Sequence, residues 1–426
     1  LNTSNPWTPP ESALTRAIDW TLATSDHTPE LEGKRLLVVI PDTTRPLDLA
    51  GALYAVLSHL RAGEPASISV LVALGLHRAL ALSELRPLLT ICRQLGATLT
   101  QHTPHHPRLS MPGADVGLLS APEADALVGY PQTRSERPLP ALLHPMLFQH
   151  DRILVVGTVE PHQYAGFSGG VKALAIGCAG AETIATMHGL ELLRHPGTRL
   201  GRIDNNPFQE ALWRVADLPC PIDALQIVPG TPEPRALLYG PVRPTFERAC
   251  QLAGEAFFYR CDEPLPWLHI RLPPSKADNF YQASRAATYA ALLEHTALAP
   301  GGWIVLEAEC HEGVGRGDGE RAFARAMQRG KERLLAELRG QATSPEPHAG
   351  GQQRAYVLAL ALDRNPVALI TPEPLPELDT MGIRQFRTLK EAHTTLNLPL
   401  VPGVSLLDIF TGLPVLATDE NAGPPR

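Results

Sequence analysis

Short apolar, β-branched runs alternate along this chain with longer stretches whose apolar residues recur at intervals of three and four. The clearest runs are Leu36-Leu37-Val38-Val39-Ile40, Ser69-Val70-Leu71-Val72-Ala73-Leu74 and Ile153-Leu154-Val155-Val156. Near-continuous hydrophobicity over about five residues is what a strand covered on both faces of a parallel sheet requires. Helical spacing follows at residues 52–61 and 79–94, and further strands are expected at 116–119 and 225–228. This βαβα order predicts a largely parallel, doubly wound sheet. A second series starts after the proline-bearing stretch 261–266. It predicts strands at 267–272, 302–308, 356–362 and 368–371, a helix at 282–294 and one long helix at 320–339. The fold class is therefore α/β. Two α/β domains are expected, residues 1–262 and 263–426, with the active site in the cleft between them; the last strand, around 415–417, returns to either domain.

Three of the apolar runs end in ionisable residues. The first enters Asp42-Thr43-Thr44-Arg45-Pro46, the second Gly75-Leu76-His77-Arg78, and the third a segment from Pro161 and His162 to Gly169-Gly170-Val171-Lys172. The carboxyl ends of parallel strands share one edge of the sheet, so Asp42, Arg45, His77, His162 and Lys172 are expected to converge there. Asp42 and Arg45, three apart with Pro46 closing the turn, suit a loop that holds an arginine for a carboxylate or phosphate. Glycines let backbone N–H groups approach an anion, and a helix beginning near Ala173 would add its positive end. The loop is not a P-loop, because Val171 separates Gly170 from Lys172 and Ala173 follows the lysine. Nor does the first strand-to-helix turn carry the dinucleotide fingerprint.

Composition narrows the partners. Among 426 residues, 19% are charged, the formal net charge is −7, and no basic block or aromatic-interleaved stripe occurs, which excludes nucleic acid as the expected partner. No apolar run reaches bilayer length and the first residues lack the plan of a secretory signal, so no membrane partner is expected and the chain reads as cytoplasmic. Six scattered cysteines without a C-x-x-C pair read as packing residues. His102, His105 and His106 fall in a polar, proline-rich turn and read as surface residues, whereas residues 340–352 offer little to bury and read as the least structured segment. His188, followed by Gly189, reads on its own as a helix-end histidine facing the negative pole of the dipole.

The residues alone permit two other chemistries. A zinc-type metallohydrolase would gather His77, His162 and His188 around the metal with Asp42 as base, but it gives Lys172 no role. A non-enzymatic protein binding a phosphate ligand would leave the histidines incidental.

The ordered set Asp42-Thr43-Thr44-Arg45-Pro46, Ala73-Leu74-Gly75-Leu76-His77-Arg78, His162, Ala165-Gly166-Phe167-Ser168-Gly169-Gly170-Val171-Lys172, His188 and Tyr281-Gln282-Ala283 with Arg285 resembles the nickel-dependent lactate racemase family. These are 2-hydroxyacid racemases and epimerases that carry a nickel-pincer nucleotide. The resemblance implies that Lys172 is attached through a thioamide to the pyridinium mononucleotide, whose two sulfurs and one ring carbon bind nickel, and that His188 is the protein's nickel ligand. His77 and His162 would be the acid/base pair, and Arg45, oriented by Asp42, would hold the substrate carboxylate. Phe167, Ser168, Gly169 and Gly170 would contact the cofactor phosphate, with Tyr281, Gln282 and Arg285 on the substrate side. Separate maturation proteins would make and insert the cofactor. Arg285 stands where the lactate enzyme has lysine, Val171 replaces a basic residue, and residues 309–317 match the family's glycine-rich loop only loosely. An arginine fork at 285, with Arg316, suits a substrate carrying a further polar or negative group, malate being the natural candidate beside lactate.

Overall fold

The computed structural model describes residues 12–43, 47–104, 115–116, 139–193, 195–230, 233–344, 350–399, 404–406 and 413–416. The first sheet has six strands: β1 (Arg35–Pro41), β2 (Ser67–Ala73), β3 (Ala97–Gln101), β4 (Arg152–Thr158), β5 (Ile222–Val228) and β6 (Ala236–Pro241). Their spatial order is β3-β2-β1-β4-β5-β6, parallel except for β6. Leu36 to Ile40 and Ile153 to Val156 are all buried, as the continuous apolar runs require of strands with helices on both faces. Helices Leu49–Ala62 and Leu82–Gln94 follow β1 and β2. Chain order reverses between β1 and β4, and at such a switch point the connections leaving the two carboxyl ends diverge to opposite faces and open a crevice. Asp42 follows β1 directly, and the His162–Lys172 segment follows β4.

The second sheet is wholly parallel, in the spatial order Arg384–Phe386, Val367–Ile370, Leu298–Glu307, Leu265–Arg271, Val404–Leu406. The boundary expected near Asp262 lies between the strand Phe258–Cys261 and the first strand of this sheet. Strand Leu413–Leu416 joins neither large sheet; it pairs in parallel with Phe258–Cys261. Helix Phe280–Leu292 packs into the second core through Phe280, Ala283, Ala286, Ala287 and Ala290. The two halves touch. Thr288 Oγ1 donates to Gln163 Oε1 at 3.4 Å, Arg202 pairs with Glu294 at 3.2 Å, and Val357 packs in the cluster of Tyr164 and Phe208. Among the described residues no helix is long and apolar enough to cross a membrane.

Three expectations are corrected. Residues 356–362, read as a strand, lie in helix Gln353–Arg364. The run Tyr356-Val357-Leu358-Ala359 is apolar all round because both faces are covered, Val357 against the first half and Tyr356, Leu358 and Ala359 in the second core, so periodicity carries no signal there. The long helix expected at 320–339 is two helices, Asp318–Met327 and Lys331–Leu338, broken at Gly330 with φ +80°. His102 is not a surface residue: it is buried and its Nε2 donates to the Ala179 carbonyl at 2.9 Å, a contact across 77 positions that no local pattern announces. The strand expected at 116–119 is seen over Asp115–Val116, and residues 117–119, His105, His106 and 345–349 lie outside the described residues.

In the second core, the fully buried Glu337 carboxylate meets Arg329 at 3.1 Å and Arg333 at 2.9 Å and accepts from the Tyr356 hydroxyl at 2.6 Å. Glu337→Gln removes the charge that compensates two guanidinium groups. Urea unfolding is expected to show a loss of about 3 kcal/mol, the low end for a broken buried pair because Arg333 is half exposed. A change below about 0.5 kcal/mol would mean that solvent already screens the arginines.

Candidate active site

Asp42, immediately beyond β1, is buried, and its Oδ2 accepts from His77 Nδ1–H at 2.5 Å. A neutral imidazole bonded this way carries its lone pair on Nε2, the form that accepts a proton. The His77 side chain is 58% exposed, so that nitrogen is reachable. The loop is tied down from outside. Arg78 grips Glu84 through both terminal nitrogens at 2.7 and 2.9 Å, and Thr43 donates to the same carboxylate at 2.7 Å. The Arg78 guanidinium, foremost, holds Glu84 at a pKa of about 2. Asp42, expected to orient Arg45, here holds His77; Arg45 lies outside the described residues.

The segment after β4 turns back on itself. Pro161–His162 pairs with Gly166–Phe167, and Gly166 adopts φ +75°. A Cβ there would stand 1.9 Å from the Arg202 carbonyl oxygen. Gly166→Ala is therefore expected to cost about 3 kcal/mol, combining a left-handed backbone with a clash against immobile main chain, and to appear as a lowered thermal midpoint. An unchanged midpoint would show that this hairpin relaxes freely. Within the turn, His162 Nδ1 accepts from the N–H groups of Tyr164 and Ala165 at 3.3 and 3.2 Å. In the neutral ring the proton then sits on Nε2. His77 and His162 are thus prepared in opposite tautomers, one offering a lone pair and the other an N–H.

Tyr164 links the imidazoles. Its buried ring lies edge-on to His162 at 5.7 Å and to His188 at 5.6 Å between centroids. Asn206 fixes the backbone beneath it by donating to the Tyr164 and Arg202 carbonyls at 2.8 and 2.9 Å while capping helix Pro207–Val215. His188 does end helix Ala181–Met187, as its neighbour Gly189 suggested, and its Nδ1–H donates to the Ile184 carbonyl at 2.8 Å. That leaves the lone pair on Nε2. Burial, foremost, pushes its pKa down to about 4; the Ile184 carbonyl opposes this, and the nearby Lys172 ammonium lowers it further. Lys172 and His188 are therefore neighbours, and His188 is neutral in the range where most enzymes work. Lys172 opens the short helix Lys172–Ala175, and the His77 loop docks at its far end through Gly75 N–H to the Gly177 carbonyl, 2.8 Å.

The glycine loop is only partly what the sequence suggests. The Ser168 hydroxyl donates to the Thr158 carbonyl at 2.9 Å and accepts from Glu160 N–H at 3.0 Å, so it closes the loop onto β4 instead of turning to a ligand. The Phe167 ring packs with Val159, Val228 and Phe246. Gly169, at φ +90°, has no room for a Cβ, which would lie 2.5 Å from Gln226 Oε1. Gly170 N–H donates to that oxygen at 3.2 Å, and the buried Gln226 Nε2 has no hydrogen-bond partner among the described residues. On the opposite half, Tyr281 and Arg285 lie one turn apart on helix Phe280–Leu292, followed by Thr288, which reaches Gln163. The buried Gln282 Oε1 lacks a partner among the described residues. Arg316 is exposed. Cys178 and Cys310 are buried thiols whose pKa burial raises, to about 12 for Cys310, which suits packing residues.

Sequence reasoning passed over Tyr164, Glu84, Asn206 and Gln226. Asn206-Pro207 was open to recognition as a helix cap; the other three carry no local signature.

Residues 2–108 and 132–201 match the profile of the family described as lactate racemase N-terminal domain. The chain is 25% identical over 373 residues to a lactate racemase from Thermoanaerobacterium thermosaccharolyticum, spanning 85% of this chain and 79% of that protein. It is 28% identical over 189 residues to a lactate racemase from Lactiplantibacillus plantarum, 44% of this chain and 40% of the other. Among solved structures, the lactate racemase apoprotein from T. thermosaccharolyticum shares the fold with a TM-score of 0.73 at 21% identity, covering 94% of this chain and 92% of that one. A crystal structure of a protein from Thermotoga maritima is similar at TM-score 0.67 and 18% identity, over 96% and 100% of the two chains.

Proposed function

We propose that the chain is a racemase of the lactate racemase family, whose N-terminal-domain profile and members it resembles, and that it inverts the α-carbon of a small 2-hydroxy acid with a nickel-pincer nucleotide carried on Lys172. The observation that carries this reading is the contact of His162 and His188 with the Tyr164 ring on the segment that leaves β4 at the switch point of the sheet, with the Lys172 charge acting on His188 and His77 held by Asp42 on the adjoining strand end.

The residues fit such a group. His188 is neutral, with Nδ1–H tied to a carbonyl and a lone pair left on Nε2, the arrangement of a metal-binding imidazole. Among the described residues no three His, Cys, Asp or Glu side chains gather as a metal site, so a metal beside His188 would draw its remaining ligands from an organic group, which favours this reading over a zinc hydrolase. The close-packed Gly169 and the orphaned amide of Gln226 suit a phosphate at the glycine loop, reached by backbone and Gln226 instead of by Ser168. Separate maturation proteins would build and load the group.

The α-C–H of a hydroxy acid beside a carboxylate is far too weakly acidic for histidine alone; the bound cofactor would supply an acceptor for that hydrogen as hydride. This chain's residues do the rest. His77 Nε2 takes the hydroxyl proton, and Asp42 stabilises the resulting imidazolium. The His162 Nε2–H presents a hydrogen-bond donor to the substrate oxygen on the other side and polarises the planar keto acid there, while the proton returned when the alcohol re-forms is the one held by the His77 imidazolium. Arg45 would retain the carboxylate throughout. Lactate and malate are both admissible substrates.

Racemisation of single enantiomers in D2O, followed by mass spectrometry, tests this. The inverted product is expected to keep its original α-hydrogen, because an acceptor that takes it as hydride would return it without exchange with solvent. Stoichiometric deuterium at Cα would replace the proposal with carbanion chemistry.

A further inference from the structure

Arg354, in the first turn of helix Gln353–Arg364, is 5% exposed. Its guanidinium lies 3.7 Å over the Tyr281 ring and Nη1 donates to the Tyr281 carbonyl at 2.7 Å. Among the described residues no carboxylate pairs with it. A buried arginine without an anion is costly, and such a charge persists where a ligand completes it. Val357, one turn on, packs in the first-half cluster that holds Tyr164, so this side of the helix faces the candidate site. The Tyr164 hydroxyl is likewise buried and has no partner among the described residues. Burial, foremost, raises its pKa, and the positive charges of Arg354 and Arg285 oppose that rise. The link between Thr288 and Gln163 brings the Arg285 helix against the residue preceding Tyr164.

We infer that Arg354 and the Tyr164 hydroxyl, flanked by Arg285, form a seat for a second anionic group on the substrate, so that 2-hydroxy dicarboxylates of malate's size are preferred to lactate. A carboxylate accepts from a phenol O–H and from guanidinium N–H groups at once, which would satisfy the Tyr164 hydroxyl and give Arg354 an anion. The methyl of lactate satisfies none of them, and a polar site rejects an analogue lacking the group it is built to bind far more strongly than an apolar pocket does. This inference rests on the racemase reading and deepens it.

Two measurements decide it. The first is the ratio of kcat/KM for malate to that for lactate in cofactor-loaded enzyme. The expected ratio falls about 10-fold in Tyr164→Phe, which keeps the ring packing, and about 100-fold in Arg354→Leu, with Arg354→Lys intermediate. A merely structural role for either residue would depress both substrates together and leave the ratio where it was, overturning the inference while the racemase reading stands. The second is calorimetric titration of unloaded protein with succinate against butyrate. Succinate is expected to bind more tightly, with the advantage reduced about 10-fold in Tyr164→Phe. Equal binding of the two acids overturns the seat. Loaded wild-type enzyme that turns over neither lactate nor malate overturns the racemase reading itself and leaves the titration to judge the seat.

Discussion

Lys172→Ala, produced together with the cofactor-maturation proteins, is expected to have the unmodified mass of the polypeptide and to lose at least ~10⁴-fold in racemase activity, about 5.4 kcal/mol of transition-state stabilisation. The reason is chemical, since a thioamide link needs the lysine amine. Lys172→Arg separates this role from a purely electrostatic one: it preserves the positive charge beside His188 but has no amine to acylate, and it is expected to be as inactive as alanine. Activity restored by arginine would mean that residue 172 only neutralises an anion, and the covalent assignment would fall. Folding is not at stake, because Lys172 opens a helix of only four residues. Circular dichroism of the alanine protein should match that of the wild type.

The second large effect is expected at the two prepared histidines. His77→Ala and His162→Ala should each lower kcat by ~10²–10⁴, the usual contribution of a positioned acid or base. Because enantiomers have equal free energy, kcat/KM must fall equally in the two directions. The distinction between the histidines therefore shows only in a single turnover: the enantiomer whose hydroxyl faces His77 should still yield keto acid in His162→Ala and not in His77→Ala. Asp42→Asn tests the tautomer argument separately. The asparagine NH2 would donate to His77 Nδ1 and drive the proton to Nε2, removing the base while keeping the contact, so a loss of ~10²–10⁴ is expected despite the near-identical shape. If Asp42→Asn retains wild-type turnover, His77 does not serve as the base.

Much of the site was legible because it sits on chain-local features. Strands β1, β2 and β4 announce themselves as apolar runs, and the chemistry-bearing residues Asp42, His77, His162 and Lys172 follow them within a few positions. Gly166 and Gly169 are glycines because Arg202 and Gln226 leave no space for a Cβ. That necessity is visible in the sequence as a glycine cluster, though not its cause. Ser168 illustrates the opposite. A hydroxyl in a glycine loop looks like a phosphate ligand, yet here it bonds to Thr158 and Glu160.

The amino-acid sequence by itself determined the alternation of elements, the α/β class and the inventory of reactive groups, because burial on both faces of a strand and the turn chemistry of glycine and proline act over a few residues. Tertiary structure alone decided which strand ends meet, that Asp42 serves His77, that His102 is buried, that residues 353–364 form a helix, and that Arg354 stacks on Tyr281. The side-chain contacts among these join residues 35 to 77 positions apart. Their energies depend on what lies on the far side of a packed interface, and nothing in the spacing of neighbouring residues records that.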